Sequence, residues 1–336
     1  MPNPSVEPTR RLAMRAGLAL AAAGLAPVAR AQLAGPWPAR ALRMIIAFPT
    51  GGATDILGRT LAQKLSEGLG QPVVVDNRPG AGGMIGIEAA AKAPADGYTL
   101  FLCSLTNQAI AGSLYPNPPA DIARDFVPVS LVANIPHWLV VNPAVPAKTL
   151  AELSAWLRAN SGKVNYASQG NGTLSHLESE LLRQRLGVQM THVAYKGSSN
   201  AHPDLIAGNV VLMFDSVTAS LPHVKAGRLR AIAVASSRRA GLAPEIPTMQ
   251  EAGMPGYEVD NLFGFYLPKG SPREVVERID RELAKAVASA DVKERLLQQG
   301  VDVFHEGPPR LAAVTGAEKD KWARAVRDAN ITLQSQ

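Results

Sequence analysis

The sequence contains only one cysteine and lacks the paired histidine spacing of metal sites, and both absences exclude classes of function. The single thiol, Cys103, cannot form an internal disulfide bond. Because Cys103 ends an apolar run at residues 100–103, we expect it to be free, buried and structural. The six histidines are scattered, without the ligand spacing of a zinc site. We therefore predict no metal ion and no cofactor.

Basic charge is scarce outside the N-terminus, which argues against a nucleic-acid-binding protein. The formal net charge is +6, but the first 31 residues hold four arginines against one glutamate and contribute half of it. No cluster of basic and aromatic residues follows, as nucleic-acid binding would need. No apolar run reaches the length of about 20 residues that spans a bilayer.

The first 31 residues have the pattern of a cleaved export signal. Residues 10–15 carry three arginines, residues 16–26 are apolar, and Ala29-Arg30-Ala31 supplies a small-x-small cleavage pattern. The mature chain is therefore predicted to begin at Gln32 and to reside in the periplasm. The arginine-rich stretch also resembles a twin-arginine signal, although Ala13 stands where that signal usually has a large apolar residue. The sequence leaves the export route open.

Strand and helix patterns alternate along the mature chain, which is typical of a doubly wound α/β sheet. Short apolar runs bounded by proline or glycine indicate buried strands, and leucines at four-residue spacing indicate helices. The mature chain is longer than the roughly 250–300 residues that one core organises, so we expect two lobes. The predicted order begins with strand 42–48, helix 54–69, strand 73–75, helix 83–92 and strand 98–103.

A second unit of the same kind is predicted after Val129. Its first helix follows a capping box at residues 149–152, and the Pro- and Gly-rich residues 244–256 suit a crossing back to the first lobe. The remainder is predicted to be mostly helical, with a second capping box at residues 271–274. The elements predicted for this second unit are helices that begin at residues 150 and 174, a helix at 199–207, and strands at 210–214 and 229–235.

Three loops combine glycine with small hydroxyl residues immediately before a predicted helix, at residues 49–55, 169–173 and 195–199. A helix start presents unpaired backbone N–H groups and the positive end of the dipole, so such loops bind anions. The alternative is that the glycines only make tight turns. We predict that backbone N–H groups at Gly51-Gly52 and Gly170-Asn171-Gly172 grip a carboxylate, because neither loop carries an arginine.

Two enzyme interpretations fit the sequence less well. Residues 80–86 come close to a dinucleotide-binding fingerprint, but the glycine spacing is off by one and the next strand ends without an acidic residue. Ser175, His176 and Asp215 are residue types of a hydrolase, but no nucleophile elbow surrounds them. We therefore predict a protein without catalytic residues. For His176 the sequence leaves open whether it packs or lines the cleft.

An ordered set of short motifs runs through the mature chain, at residues 48–55, 71–86, 96–100, 170–172, 176–177, 195–197, 204–205 and 214–215. In this order the motifs resemble the Bug family, the solute receptors of tripartite tricarboxylate transporters. The resemblance implies an α/β Venus-flytrap fold of the type II periplasmic-binding-protein class, with a doubly wound sheet flanked by helices in each lobe. Lobe one would comprise residues 32–132 and 254–336, and lobe two residues 133–253.

The resemblance also implies a function and a ligand site. The protein would be a monomer that holds a small carboxylate between the first-helix loop and the loop at residues 170–173, partly through water, and passes it to membrane transporter subunits. The site residues, from the loops and from the resemblance together, are Phe48, Thr50, Gly51, Gly52, Asp55, Ser104, Thr106, Asn107, Gly170, Asn171, Gly172, Thr173, His176, Tyr195, Ser198 and Asp215.

The sequence departs from the family pattern at Thr50, Asn200 and Val211. Thr50 and Asn200 lie near the expected pocket, so the departures concern the ligand rather than the fold. An aliphatic diacid, an amino acid, an aromatic acid and a citrate-like acid all remain open. A receptor that presents its ligand to a sensor, and an exported enzyme, are the alternatives to a transport receptor.

Overall fold

The computed structural model describes residues 37–115 and 117–328. The chain from Arg40 onward forms one compact unit, and the chain up to Ala39 forms another, of which only residues 37–39 are described. The predicted export signal and its cleavage site lie outside the described residues. In the described part of the chain, no helix is long and apolar enough to cross a membrane.

Strands and helices alternate through most of the described chain. The strands are β1 (Leu42–Ile46), β2 (Val73–Asn77), β3 (Thr99–Ser104), β4 (Phe126–Asn134), β5 (His137–Val141), β6 (Val164–Ser168), β7 (Met190–Ala194), β8 (Leu212–Ser216), β9 (Arg230–Val234), β10 (Leu262–Pro268) and β11 (Asp302–Glu306). The helices are α1 (Ala53–Leu69), α2 (Met84–Ala91), α3 (Leu105–Leu114), α4 (Leu150–Ala159), α5 (Leu174–Leu186), α6 (Ser198–Ala207), α7 (Val217–Lys225), α8 (Arg273–Ala288), α9 (Ala290–Leu297) and α10 (Pro308–Asp328).

The first sheet has six strands in the order β11-β4-β10-β3-β1-β2. β1 pairs in parallel with β2 and β3, whereas β10 is antiparallel to β3 and β4. Leu57, Leu61 and Leu65 form the buried face of α1, as their spacing predicts. Gly58 lets α1 lie close to this sheet, because a Cβ at Gly58 would come 2.5 Å from Cδ1 of Ile46.

The second sheet has five strands in the order β7-β6-β8-β5-β9. β6 pairs in parallel with β7 and β8, and β5 is antiparallel to β8 and β9. The predicted capping box starts α4: the side chain of Thr149 accepts from N of Glu152, and the Glu152 side chain accepts from N of Thr149. Helices flank both sheets, so the predicted mixed α/β fold with two sheets is confirmed.

The structure corrects the predicted boundaries of the second half of the chain. β4 belongs to the first sheet and continues to Asn134, so the second sheet starts later than the pattern after Val129 predicted. The C-terminal part is mostly helical, as predicted, but Leu262–Pro268 forms β10 in the interior of the first sheet, which was not predicted. A short apolar run such as β10 fits a strand or a buried helix equally well, and only its partners from distant sequence decide.

The predicted capping box at residues 271–274 is wrong. Pro272 has extended backbone angles and is the N-cap of α8, without a side-chain cap. Oγ of Ser271 instead donates to the carbonyl of Pro268 at 2.8 Å. The predicted buried face of the helix is confirmed, because its apolar positions Val275, Val276, Ile279, Leu283 and Val287 are all buried.

Cys103 lies in β3 and is 1% exposed, and burial raises the pKa of its thiol well above the ordinary value. We expect the native protein to resist thiol-modifying reagents and the unfolded protein to react at once. Cys103→Ala should lower the free energy of unfolding by about 1–2 kcal/mol, because it removes one small buried group. Thiol titration with and without denaturant, together with urea unfolding, checks both. Rapid modification of the native protein would contradict the prediction.

Candidate functional site

Two helices, one from each sheet, begin next to each other. Gly52 precedes α1 and Gly197 precedes α6. The two preceding loops touch, since a Cβ on Gly197 would lie 3.0 Å from the ring of Pro49 and a Cβ on Gly51 would lie 3.6 Å from Oγ of Ser199. Each helix start has N–H groups without an acceptor inside its helix and carries the positive end of the dipole. The space between the two helix starts therefore attracts an anion.

The two helix starts form part of the wall of a small cavity of about 30 Å³, which we call the inner pocket. A buried water molecule needs about 10–15 Å³ of such space, so the inner pocket fits two oxygen-sized atoms, as in a carboxylate. Among the described residues that line it, none is arginine or lysine and only His137 is ionisable near neutral pH. The lining consists of Phe48, Pro49, Gly52, Ala53, Thr54, Asn107, His137, Gln169, Gly197, Ser198, Ser199, Ser216, Asn261 and Phe263.

A larger cavity of about 470 Å³, the outer cavity, adjoins the inner pocket. Four residues line both spaces: Phe48, Pro49, Gln169 and Gly197. Lys196 is the charged residue of the described lining. Within residues 37–115 and 117–328, no group of His, Cys, Asp and Glu could hold a metal ion. The rest of the outer lining consists of Ala47, Pro79, Gly80, Ala81, Gly82, Gly83, Tyr115, Gly170, Asn171, Ala194 and Tyr195.

The structure brings part of the predicted site to these two spaces. The predicted residues that line one or both are Phe48, Gly52, Asn107, Gly170, Asn171, Tyr195 and Ser198. The predicted residues outside both linings are Thr50, Gly51, Asp55, Ser104, Thr106, Gly172, Thr173, His176 and Asp215. Several residues of the second group hold the walls in place through hydrogen bonds.

Asp55, in the first turn of α1, holds the loop before that helix. It accepts hydrogen bonds from N of Gly51 at 3.0 Å, from Arg59 at 2.9 Å and from Asn77 at 3.0 Å. Burial by itself would raise the pKa of Asp55, but the hydrogen bonds from Arg59, Gly51 and Asn77 bring it below the ordinary value. The N–H of Gly51 is therefore engaged within the protein, and the expectation that it grips a ligand does not fit this geometry.

Asp215, fully buried in β8, holds the loop before α6 in the corresponding way. It accepts from Oγ of Ser198 at 2.6 Å and from Nε2 of Gln169 at 3.0 Å, and it pairs with Nε2 of His202 at 2.8 Å. Burial by itself would raise the pKa of Asp215, but the hydrogen bonds from His202 and Ser198 lower it to about 2. An ionised carboxylate thus fixes two residues of the inner-pocket wall.

His176 packs behind the loop at residues 169–173 and lines neither space. Its ring stacks on that of His192, with 4.0 Å between the ring centroids. Burial lowers the pKa of His176, so the ring is neutral, and its Nδ1 accepts from N of Gly172 at 3.3 Å. Of the two roles that the sequence leaves open, the structure shows packing. The N–H of Gly172 is engaged as well, so it does not grip a ligand as we expected.

A hydrogen-bonded chain through Asn107 connects the two sheets. Oδ1 of Asn107, in the first turn of α3, accepts from N of Leu174 at the start of α5 at 2.8 Å. Nδ2 of Asn107 donates to Oγ of Ser104 at 2.6 Å, and Ser104 donates to Oδ1 of Asn261 at 3.0 Å. This chain satisfies one unpaired N–H group of α5 with a side chain from the other sheet. Ser104 and Asn107 therefore tie the sheets together beside the inner pocket.

The predicted site residues do not include His137, Gln169, Ser216, Asn261 and Phe263, all of which line the inner pocket. Gln169 is the first residue of the second glycine loop, at residues 169–173, and Ser216 caps α7 by accepting from N of Ala219. These two positions carry a local signal that could have been used. The other three lie at or near the segments that connect the two sheets, where no local pattern marks them.

We expect Asp215→Asn to lower the free energy of unfolding by about 3 kcal/mol, because it removes the carboxylate from the buried pair of Asp215 and His202. Asp291→Asn is the control: it breaks an exposed pair with Lys64 at 2.8 Å and should cost about 0.5 kcal/mol. The folded-state pKa of Asp215 is depressed, so its contribution is complete above pH 3.8 and is lost as the pH falls toward about 2. Urea unfolding at several pH values measures this; equal costs for both variants would refute it.

Comparison with known proteins identifies the family of this chain. The tripartite tricarboxylate transporter family receptor matches residues 57–331. Protein BugT of Bordetella pertussis is 39% identical over 328 residues, 97% of this chain and 99% of that protein. The structure is similar to periplasmic binding protein BugD, with a TM-score of 0.84 and 34% identity over 89% of this chain and 100% of that one. The structure is also similar to that of R. palustris Rpa4515 with adipate, with a TM-score of 0.84 and 34% identity over 88% of this chain and 99% of that one. This chain belongs to the receptor family of tripartite tricarboxylate transporters.

Proposed function

We propose that this receptor binds one carboxylate group of a small organic acid in the inner pocket and the body of the acid in the outer cavity. The observation that carries the proposal is the meeting of two helix starts around a pocket of carboxylate size without arginine or lysine. Adipate in the structure of Rpa4515 is an acid of the expected class. The outer cavity, about 470 Å³, has room for an acid of that size or larger.

The proposed lobes are residues 32–132 with 254–336, and residues 133–253. Membership of the sheets supports this division except at its first boundary, because β5 to β9 form the second sheet and the other strands form the first, whereas β4 carries residues 133 and 134 into the first sheet. Contacts across the cleft would favour the closed state: a Cβ on Gly82 would lie 2.6 Å from the carbonyl oxygen of Asn171, and Asn107 bonds Leu174 directly. A ligand that touches both lobes stabilises that state.

The proposal includes export and delivery. Members of this receptor family serve transporters, and the sequence before Gln32 has the pattern of an export signal. We propose a monomer in the periplasm that carries out no catalysis and passes its ligand to membrane transporter subunits. N-terminal sequencing of the exported protein should give Gln32 as the first residue, and an intact N-terminus on a cytoplasmic chain would contradict the export proposal.

A panel of acids tests ligand class and closure together. We expect adipate or another acid of the panel to raise the melting temperature of the parent protein and to reduce its radius of gyration in small-angle scattering, because binding and closure are coupled. The panel covers aliphatic diacids, amino acids, aromatic acids and citrate. Failure of every acid to bind would overturn the carboxylate proposal, and tight binding without compaction would overturn the closure.

Gly82→Ala should prevent full closure, because the added Cβ meets the carbonyl of Asn171. Gly70→Ala is a matched control: Gly70 has a φ of +69° where Gly82 has +62°, but a Cβ at Gly70 meets nothing within 4 Å. Both variants should lose about 1–2 kcal/mol of stability from backbone strain. Only Gly82→Ala should weaken binding, by about tenfold or more, and keep the larger radius at saturating ligand. Equal binding by both variants would show that this contact does not matter for closure.

A further inference from the structure

The inner pocket contains one ionisable side chain whose presence the helix starts do not explain. His137 is the first residue of β5 and is 1% exposed. Its Nδ1 lies 2.7 Å from Oε2 of Glu178, a fully buried residue of α5. His137 is part of the pocket lining, and no hydrogen bond joins its Nε2 to a described residue. Nε2 is therefore the ring nitrogen that remains for a ligand.

The charges around His137 favour its proton. Two carboxylates act on the ring, Glu178 from α5 and Asp215 from β8, while His202 of α6 is itself paired with Asp215. Burial by itself would lower the pKa of His137, but Glu178 and then Asp215 raise it above the ordinary value. Burial also raises the pKa of Glu178. The pair of His137 and Glu178 therefore keeps one shared proton to a higher pH than an exposed histidine would.

Either position of that proton leaves a donor toward the pocket. In the ion pair, both ring nitrogens of His137 carry hydrogen, and Nδ1 donates to Glu178. In the neutral pair, protonated Glu178 donates to Nδ1, so the ring hydrogen is on Nε2. Oε1 of Glu178 is buried without a partner among the described residues, which makes a full charge on Glu178 costly and supports sharing of the proton.

We propose that His137 is a ligand-binding residue that donates a hydrogen bond from Nε2 to the carboxylate in the inner pocket, with Glu178 as the residue that positions it. This assignment rests on the proposed function. It adds a side-chain donor to an anion site that otherwise uses helix starts and neutral polar groups. When the pair loses its proton, Nε2 becomes an acceptor and faces the carboxylate with a lone pair. Binding should therefore be strong at low pH and weaken as the pH rises through the titration of the pair.

Calorimetric titration with adipate between about pH 6 and pH 9 tests the assignment, because the ligand carboxylates stay ionised over this range. We expect the dissociation constant of the parent protein to rise with pH. His137→Phe should raise the dissociation constant about tenfold or more at pH 6 and remove the pH dependence. His305→Gln is the matched control. It breaks another histidine–carboxylate pair, in which Nε2 of His305 lies 2.8 Å from Oδ1 of Asp280, and His305 belongs to β11 of the first sheet. This variant should bind adipate as the parent does.

Glu178→Gln keeps His137 in place but removes the charge that holds its proton, and it provides a second measurement if His137→Phe does not fold. We expect this variant to bind adipate with a pH midpoint moved by at least about one unit, or with no pH step at all. A purely structural role of Glu178 would change stability and leave the pH profile of binding as in the parent.

If adipate and every other acid of the panel fail to bind the parent, the proposed function and this assignment fall together. If the parent binds adipate with a flat pH profile, or His137→Phe binds as tightly as the parent, only the assignment of His137 is overturned.

Discussion

An anion site without an arginine or lysine in its lining depends on backbone N–H groups that are held in position and kept free of other acceptors. The protein achieves this with a buried, ionised carboxylate behind each helix start. Asp55 holds the loop before α1 and pairs with Arg59, and Asp215 holds the loop before α6 and pairs with His202. Under the proposed function, these hydrogen bonds would fix the two loops, and the first-turn N–H groups of α1 and α6 would meet the ligand.

The path of the chain is compatible with the lobe motion that the proposed function requires. The two segments that connect the sheets run next to each other, since N of Ile135 donates to the carbonyl of Asn261 at 3.0 Å and N of Asn261 donates to Oδ1 of Asn134 at 3.0 Å. Connections that lie side by side at one edge permit rotation about that edge while each sheet stays intact. His137 and Asn261 belong to this region and also line the inner pocket. The inner pocket therefore lies next to the segments that connect the two sheets.

Local sequence signals predicted much of the fold and about half of the candidate site. Leu57, Leu61 and Leu65 marked α1 because helix periodicity is visible within a single segment, and the glycine loops marked the helix starts for the same reason. β10 was missed, because a strand in the interior of a sheet is decided by partners far away in sequence. His137 was missed for a related reason: β5 brings it to the pocket, and its partner Glu178 lies on a helix of a different segment.

The same limit explains why the roles of several predicted residues changed. A glycine before a helix predicts an available N–H group, but only the structure shows that Asp55 and His176 already accept from Gly51 and Gly172.

The division of the site into an inner pocket and an outer cavity bears on selectivity among acids. Under the proposed function, an inner pocket of carboxylate size would recognise a group that all candidate acids share, so it would supply affinity and little discrimination. Discrimination among acids would then arise in the outer cavity, whose lining includes Tyr115, Tyr195 and Lys196.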